Sequence, residues 1–197
     1  SLVLQYTRAF GPFSNQIDNC KKNHNLYKNS LGNKIVFEEI NHTIGLTFLY
    51  SWQASAKYGF VKKTKLLNHS GKKLNIKLID GLRNILPAGI SLRTQQEMSN
   101  LANAYKVSEC NSDYNYALYY MNALLMDKPD PGESLFSNIV WSHSSDNIEL
   151  SVNEKSIRTF LSNDEFEKDH LLKGKEGSFL NYIQKPLPSG HEMTWYI

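Results

Sequence analysis

Apolar side chains recur at every second position along much of this chain. The clearest run is residues 44–52, in which Ile44, Leu46, Phe48, Tyr50 and Trp52 alternate with the residues between them. A period of two places alternate side chains on the same face of a β-strand. We therefore predict a long strand here, with Phe48, Tyr50 and Trp52 together on the side that faces the core.

The same period predicts further strands on both sides of this run. Residues 60–67 and 74–79 flank a polar turn at 68–71, which is typical of a hairpin. The sequence has no repeat and no Pro-, Gly- or Ser-rich linker, so we predict one all-β domain over 1–197, a large antiparallel sandwich of two sheets. The other predicted strands are 2–6, 35–40, 114–120, 135–141, 148–152, 179–183 and 192–197.

Two segments depart from this pattern and predict one or two short helices. Residues 91–105 space their apolar side chains by three and four. Ser162 and Glu165 have the spacing of a capping box, in which each side chain accepts a hydrogen bond from the other residue's backbone amide. We therefore predict that a second helix begins at this box and runs to Leu172.

Composition and charge exclude several classes of partner. The 22 basic and 19 acidic residues give a net charge of +3, and the basic residues are spread in short doublets. Nucleic-acid binding needs clustered positive charge, so we expect no nucleic-acid partner. No run reaches the 18 or so apolar residues of a membrane span, and a signal-peptide pattern is absent, so we expect a soluble protein. Its apolar ends, with no initiator methionine, indicate a fragment of a longer chain.

The residues with nucleophilic or metal-binding chemistry form no recognisable constellation. Cys20 and Cys110 are far apart and leave two alternatives, two buried thiols or one disulfide. The six histidines lack the spacing of a metal site, and the sequence has no nucleophile elbow and no phosphate-binding loop. We therefore expect no metal and no cofactor.

Carboxylates are the remaining candidates for catalysis, because a glycosidase needs two of them facing each other across a cleft. Sequence alone does not exclude such a pair, but turns and helix termini also explain these positions. We assign no catalytic residue. The clusters are Glu38 with Glu39, then Asp127, Asp130 and Glu133, then Asp164, Glu165, Glu167 and Asp169.

Trp52, Arg83 and Asn84 are the candidate contacts to a carbohydrate. An aromatic ring stacks on a sugar ring, and planar polar groups hydrogen-bond its hydroxyls. The alternative for Trp52 is a place in the core. For residues 80–89 we prefer a structural role, a rigid polar corner in which Gly81 and Gly89 permit turns and a carboxylate or backbone carbonyls hold Arg83.

Several strings resemble the N-terminal region of bacterial proteins similar to cellobiose phosphorylases and related glycoside hydrolases. In that family this region is a large β-sandwich of the galactose-mutarotase-like supersandwich type, and an (α/α)6 barrel that follows carries the catalytic groups. The resemblance covers about three quarters of the chain. It rests on residues 50–55, 58–61, 67–71, 80–89, 99–106, 131–135 and 188–195.

The resemblance implies a bacterial cytoplasmic or periplasmic protein that serves as a non-catalytic domain of a glycoside hydrolase or a phosphorylase-type glycosyltransferase. Its partners would be the helical catalytic domain of the same chain, whose cleft it helps to shape, an oligosaccharide, and a second copy in a homodimer. An independent carbohydrate-binding module is the first alternative. A small stand-alone hydrolase is the second, and catalytic turnover by the purified chain would distinguish it.

Overall fold

The computed structural model describes residues 11–13, 21–124, 132 and 134–197. Antiparallel strands dominate these residues, so the predicted all-β class with short helices is confirmed. The predicted strand at 2–6 lies outside the described residues. The strands are β1 (Lys22–Lys28), β2 (Lys34–Asn41), β3 (Leu46–Ser55), β4 (Gly59–Asn68), β5 (Leu74–Ile85), β6 (Lys106–Asn111), β7 (Tyr116–Met121), β8 (Ser137–Trp141), β9 (His143–Ser144), β10 (Glu149–Ser151), β11 (Leu171–Lys173), β12 (Gly177–Leu187) and β13 (Glu192–Tyr196).

Three short helices lie among these strands, α1 (Leu92–Glu97), α2 (Ser99–Tyr105) and α3 (Lys155–Asn163). In the part of the chain that the structure describes, no helix has the length and apolar character needed to cross a bilayer. Contacts divide the chain into two compact units, one with the described residues up to Leu74 and Pro186–Tyr196, the other with Asn75–Lys185 and Ile197. The single domain over 1–197 stays a prediction.

In the first unit, β1, β2, β3, β4 and β13 lie side by side in that order, each antiparallel to the next. We call this the first sheet. Tyr50 stands opposite Phe37 on β2, and their rings stack with centroids 4.7 Å apart. The ring of Phe48 packs against those of Tyr50 and Trp195. The prediction that Phe48, Tyr50 and Trp52 share one face is confirmed, although all three are only partly buried.

The other side of the first sheet places charged and polar side chains beside aliphatic ones such as Leu49 and Val36, and we call it the charged face. Lys65 Nζ lies 2.8 Å from a Glu192 carboxylate oxygen, and Lys63 Nζ lies 5.4 Å from the ring centroid of Tyr196. Glu38 accepts a hydrogen bond from the Asn25 side chain at 2.8 Å. A polar face of this kind is expected where one side of an antiparallel sheet is solvated.

The second unit contains two sheets, with strand order β10-β12-β5 in the second sheet and β11-β6-β7-β8 in the third. The Tyr119 hydroxyl on β7 donates a hydrogen bond to the Ser178 carbonyl on β12, at 2.8 Å. Phe179 and Leu180 on β12 are at most 2% exposed. The two sheets therefore face each other across a shared core, which is the arrangement of a β-sandwich.

Two glycines in the segment 80–89 have different roles. Gly89 has a φ of 88°, a conformation that favours glycine, as the prediction of a turn requires. At Gly81, by contrast, a Cβ would lie 2.0 Å from the Phe179 carbonyl oxygen on β12. Gly81 therefore permits close approach of two backbones inside a sheet, and the predicted turn there is wrong because β5 continues to Ile85.

The helix predicted from Ser162 to Leu172 is also wrong. A helix ends at this point, because Asp164 adopts a left-handed φ of 58° and its amide donates to the Phe160 carbonyl at 3.0 Å. The small polar residues therefore form a C-terminal cap, and Leu171 belongs to β11. The helical segment predicted at 91–105 is confirmed as two helices that meet at Met98, which has a φ of −132° and a ψ of 39°.

Candidate functional site

The third sheet carries apolar and aromatic side chains on both of its faces. On β7, Ala117, Tyr119 and Met121 are at most 1% exposed and form the core. Tyr116 and Leu118, like Tyr120, point to the opposite side of the strand and are only partly buried. Val107 on β6, which stands opposite Tyr120, is 0% exposed, so this side is buried at the Tyr120 end. The solvated side of an antiparallel sheet is ordinarily polar, and the rest of this row is therefore unusual for a surface.

Strand β8 extends this row across the sheet. Tyr116 stands opposite Trp141, and Leu118 stands opposite Ile139. Directly opposite residues of antiparallel strands have Cβ atoms about 4.5–5.5 Å apart, so these side chains form adjacent cross-strand pairs. Trp141 is 39% exposed and Ile139 is 52% exposed. We call Tyr116, Leu118, Tyr120, Ile139 and Trp141 the aromatic face.

Polar groups of β6 border the aromatic face. Asn111 stands opposite Tyr116, and Glu109 stands opposite Leu118. Burial raises the pKa of Tyr120, and the nearby Glu109 carboxylate raises it further. The face therefore has two kinds of group. Its aromatic rings can stack on a sugar, and the neighbouring carboxylate and amide can bind hydroxyl groups.

The aromatic face is small and elongated. From Tyr116 to Tyr120 it follows β7 for about 14 Å, and the two strands β7 and β8 give it a width of about 10 Å. Stable protein interfaces bury about 800 Å² on each partner. An area of roughly 140 Å², calculated from the strand spacings, suits a ligand of a few rings better than a folded protein.

The inner side of the same sheet holds groups that are unreactive near neutral pH. Burial raises the pKa of the Cys110 thiol to about 11, and nearby Asp169 contributes to the shift. Burial also raises the pKa of Tyr119. Cys110 is a free thiol, and Cys20, its partner in the disulfide alternative, lies outside the described residues. The aromatic face, not this inner side, is therefore the surface available to a ligand.

The three residues predicted to contact carbohydrate lie in different units. Trp52 belongs to the first sheet, where it stands opposite Ile35 and Lys62 and is partly buried. Arg83 and Asn84 lie on β5 in the second unit. Their role in carbohydrate contact stays a prediction.

Arg83 is held by a carboxylate, as the sequence predicts. Its guanidinium donates a hydrogen bond to Glu154, in an ion pair whose side chains are 57% and 33% exposed. Asn84 has a φ of 54°, a left-handed conformation that asparagine adopts more readily than most residues. The predicted polar corner thus forms within strand β5 and not after it.

Glu154 also lines a shallow cleft of about 340 Å³ in the second unit. Asn153, just before α3, and Lys155 and Arg158, in its first turns, line the cleft. Lys175 and Glu176, which follow β11, also line it. Charged side chains dominate this cleft, in contrast to the aromatic face.

Several of the carboxylates considered for catalysis have structural partners. Glu39 is 1% exposed and accepts hydrogen bonds from the Phe13 amide at 2.6 Å and from His24 Nε2 at 2.8 Å. Asp164 pairs with Lys77. Lys155, whose Nζ lies 3.0 Å from a Glu167 carboxylate oxygen, lowers the pKa of that carboxyl group.

The predicted cluster of Asp127, Asp130 and Glu133 lies outside the described residues. Among the residues that are described, no three His, Cys, Asp or Glu side chains converge on a metal position.

Sequence reasoning identified the strands of the aromatic face but not the face itself. The alternation of Tyr116, Leu118 and Tyr120 predicts one strand, and residues 135–141 predict another. The pairing of Trp141 with Tyr116 depends on the register between them. The available signal was that both alternating sets of β7 are apolar, which leaves one set without a place in the core.

Comparison with known proteins leaves the chain without an assigned family. No protein-family model matches the sequence, and a search of curated proteins finds no match. The resemblance to cellobiose phosphorylases therefore remains a prediction that rests on the residues quoted for it.

Proposed function

We propose that this chain is a non-catalytic β-sandwich domain of a glycoside hydrolase or glycoside phosphorylase, and that it binds an oligosaccharide on its aromatic face. The single observation that carries this proposal is the pairing of Trp141 and Tyr116 beside Asn111 and Glu109. The C–H faces of a sugar stack on aromatic rings, while its hydroxyls need planar polar partners. Both kinds of group lie next to each other on this sheet.

The shape of the face supports a linear oligosaccharide. Tyr116 and Tyr120 lie about 14 Å apart along one strand, so a bound chain would run along β7 and contact rings at both ends. The aliphatic pair Leu118 and Ile139 lies between them. An extended, unbranched glucan therefore fits the face better than a branched glycan.

A binding role is favoured over hydrolysis at this surface. Glycoside hydrolysis needs two carboxyl groups about 5–10 Å apart. Within the described strands of the third sheet, Glu109 is the single carboxylate beside the aromatic face, so a second carboxyl group at that distance is missing from these strands. Catalysis would then belong to the helical domain that the family resemblance implies, with this domain shaping its cleft and its dimer.

An independent carbohydrate-binding module is the second candidate, and the same face favours it because a module needs no catalytic partner. The two functions differ in how the parent protein behaves. In an accessory domain, loss of the aromatic face lowers turnover of short oligosaccharides by the full-length enzyme. In a module, the same loss lowers adsorption to a polymer and leaves turnover of short substrates unchanged.

Binding of cello-oligosaccharides to the 197-residue chain, measured by calorimetry, tests the proposal. We expect saturable binding that weakens by about tenfold in Tyr116→Ala, since aromatic contacts contribute about 0.5–1.5 kcal/mol beyond their buried area. Tyr58→Ala is the matched control, because Tyr58 is a 49% exposed tyrosine of the first unit. Equal affinity in both variants, or no binding by the unmodified chain to any glucan, would contradict the proposal.

A further inference from the structure

The cleft at the start of α3 brings three basic side chains together. It is lined by Lys155, Arg158 and Lys175, and we call it the cationic cleft. Lys155 pairs with Glu167 at 3.0 Å. Within the described ranges, Arg158 and Lys175 form no ion pair and no hydrogen bond with a carboxylate. Arg158 and Lys175 thus share one concave surface with Glu154 and Glu176 but form an ion pair with neither.

The carboxylates in this cleft are already engaged by other groups. Glu154 forms its ion pair with Arg83 from β5. Glu176 accepts a hydrogen bond from the Gln95 side chain at 3.2 Å, and its charge acts on Lys106, which is only 2% exposed. The cleft is lined by three basic and two acidic side chains, which leaves an excess of one positive charge.

Backbone amides at the start of α3 do not account for this site. The Lys155 amide donates to the Asn153 side chain at 3.0 Å, and the Ser156 amide donates to the Asn153 carbonyl at 3.1 Å. Any ligand must therefore be recognised by side chains. Arginine offers a planar fork of donors that matches an oxyanion, and lysine adds a mobile point charge.

We propose that the cationic cleft binds a small oxyanion, a phosphate, sulfate or carboxylate group, between Arg158 and Lys175. The volume of about 340 Å³ lies at the lower end of the range for small-molecule sites, which suits a single charged group or one charged sugar. This site belongs to the second unit and is lined by none of the residues of the aromatic face. The inference therefore stands independently of oligosaccharide binding.

Titration with inorganic phosphate and with sulfate, at ionic strength held constant with chloride, tests this inference on the 197-residue chain. NMR shifts or calorimetry should show saturable binding that weakens at least tenfold in Arg158→Gln and in Lys175→Gln. Lys73→Gln is the matched control, because Lys73 is an exposed lysine outside the cleft. Thermal melts check that all three variants remain folded.

Two further ligands identify the source of the oxyanion. Tighter binding of glucose 6-phosphate or glucuronate than of the inorganic ions would support a charged sugar, and equal binding would support a free oxyanion. A linear, non-saturating response, or the same loss of affinity in Lys73→Gln as in Arg158→Gln, would overturn the inference because it would show general electrostatic attraction.

Discussion

The charged face of the first sheet and the aromatic face of the third sheet are both built by strict alternation along antiparallel strands. On the charged face, alternation brings Lys65 to Glu192 and Lys63 to Tyr196. On the aromatic face, the same geometry brings Tyr116 to Trp141. Alternation thus determines which side chains share a face, whereas their chemistry determines what that face can contact.

The difference shows which apolar residues the fold needs. Burial stabilises a side chain by about 25 cal/mol for each Å² removed from water, so half-exposed rings contribute less than the fully buried residues behind them. Water solvates a charged surface favourably, and the charges oppose association of one sheet with another. An apolar surface on the same kind of sheet is retained at a cost in solubility, which is explained if a ligand covers it.

The largest expected effect is a difference in stability between substitutions on the two sides of β7. Met121→Ala should lower the free energy of unfolding by about 2–5 kcal/mol, because Met121 is 1% exposed in the core. Leu118→Ala, on the aromatic face, should cost less than about 1.5 kcal/mol. Denaturant unfolding measures both. Equal losses would show that the aromatic face is packed core, and the comparison would fail.

A second prediction concerns the inner side of the third sheet and uses thiol reactivity. With a pKa of about 11, Cys110 is about one-thousandth thiolate at pH 8, so alkylation should be about a hundredfold slower than for an ordinary cysteine. The rate should rise as the pH is raised through about 11, because the thiolate is the reactive form. A Cys20→Ser background isolates the signal. Rapid labelling at pH 8 would mean that this side of the sheet is open.

The smallest expected effect concerns exposed ion pairs, such as the pair of Lys65 and Glu192 on the charged face. Arg83→Lys should lower stability by less than about 1 kcal/mol, since the pair with Glu154 is largely exposed and surface pairs contribute little. The sequence alone predicts a loss of about 1–3 kcal/mol if Arg83 is structural, because lysine lacks its bidentate fork of donors. Thermal and denaturant melts distinguish the two values, with Lys65→Ala as a second exposed pair for comparison.

The parts of the fold that the sequence predicts are those with strong local patterns. β3, β4 and β5 alternate clearly, and all three are strands, but the hairpin predicted across the turn at 68–71 is wrong, because β4 pairs with β3 and β13 whereas β5 pairs with β12 in the second sheet. β1 and β6 were missed because their sequences are largely polar or carry no period of two, and only pairing with β2 and β7 makes them strands. Such strands are specified by tertiary context, which outweighs local propensity.

The site depends even more on contacts between distant residues. Arg83 and Glu154 are 71 positions apart, so the sequence predicts a carboxylate partner for the arginine without identifying it. The role of Gly81 became visible only when β12 was placed against β5. Local spacing also misassigned Ser162, because a capping-box pattern and a C-terminal cap use the same small polar residues.

The most direct test compares two tryptophans, one from each sheet. Affinity for cello-oligosaccharides is measured by calorimetry for Trp141→Ala and Trp52→Ala, with melts to confirm that both variants fold. The account predicts that Trp141→Ala weakens binding at least tenfold, because Trp141 stands opposite Tyr116 on the aromatic face, and that Trp52→Ala changes affinity less than twofold. Loss of binding in Trp52→Ala with unchanged affinity in Trp141→Ala would contradict it and place the carbohydrate contact on the first sheet.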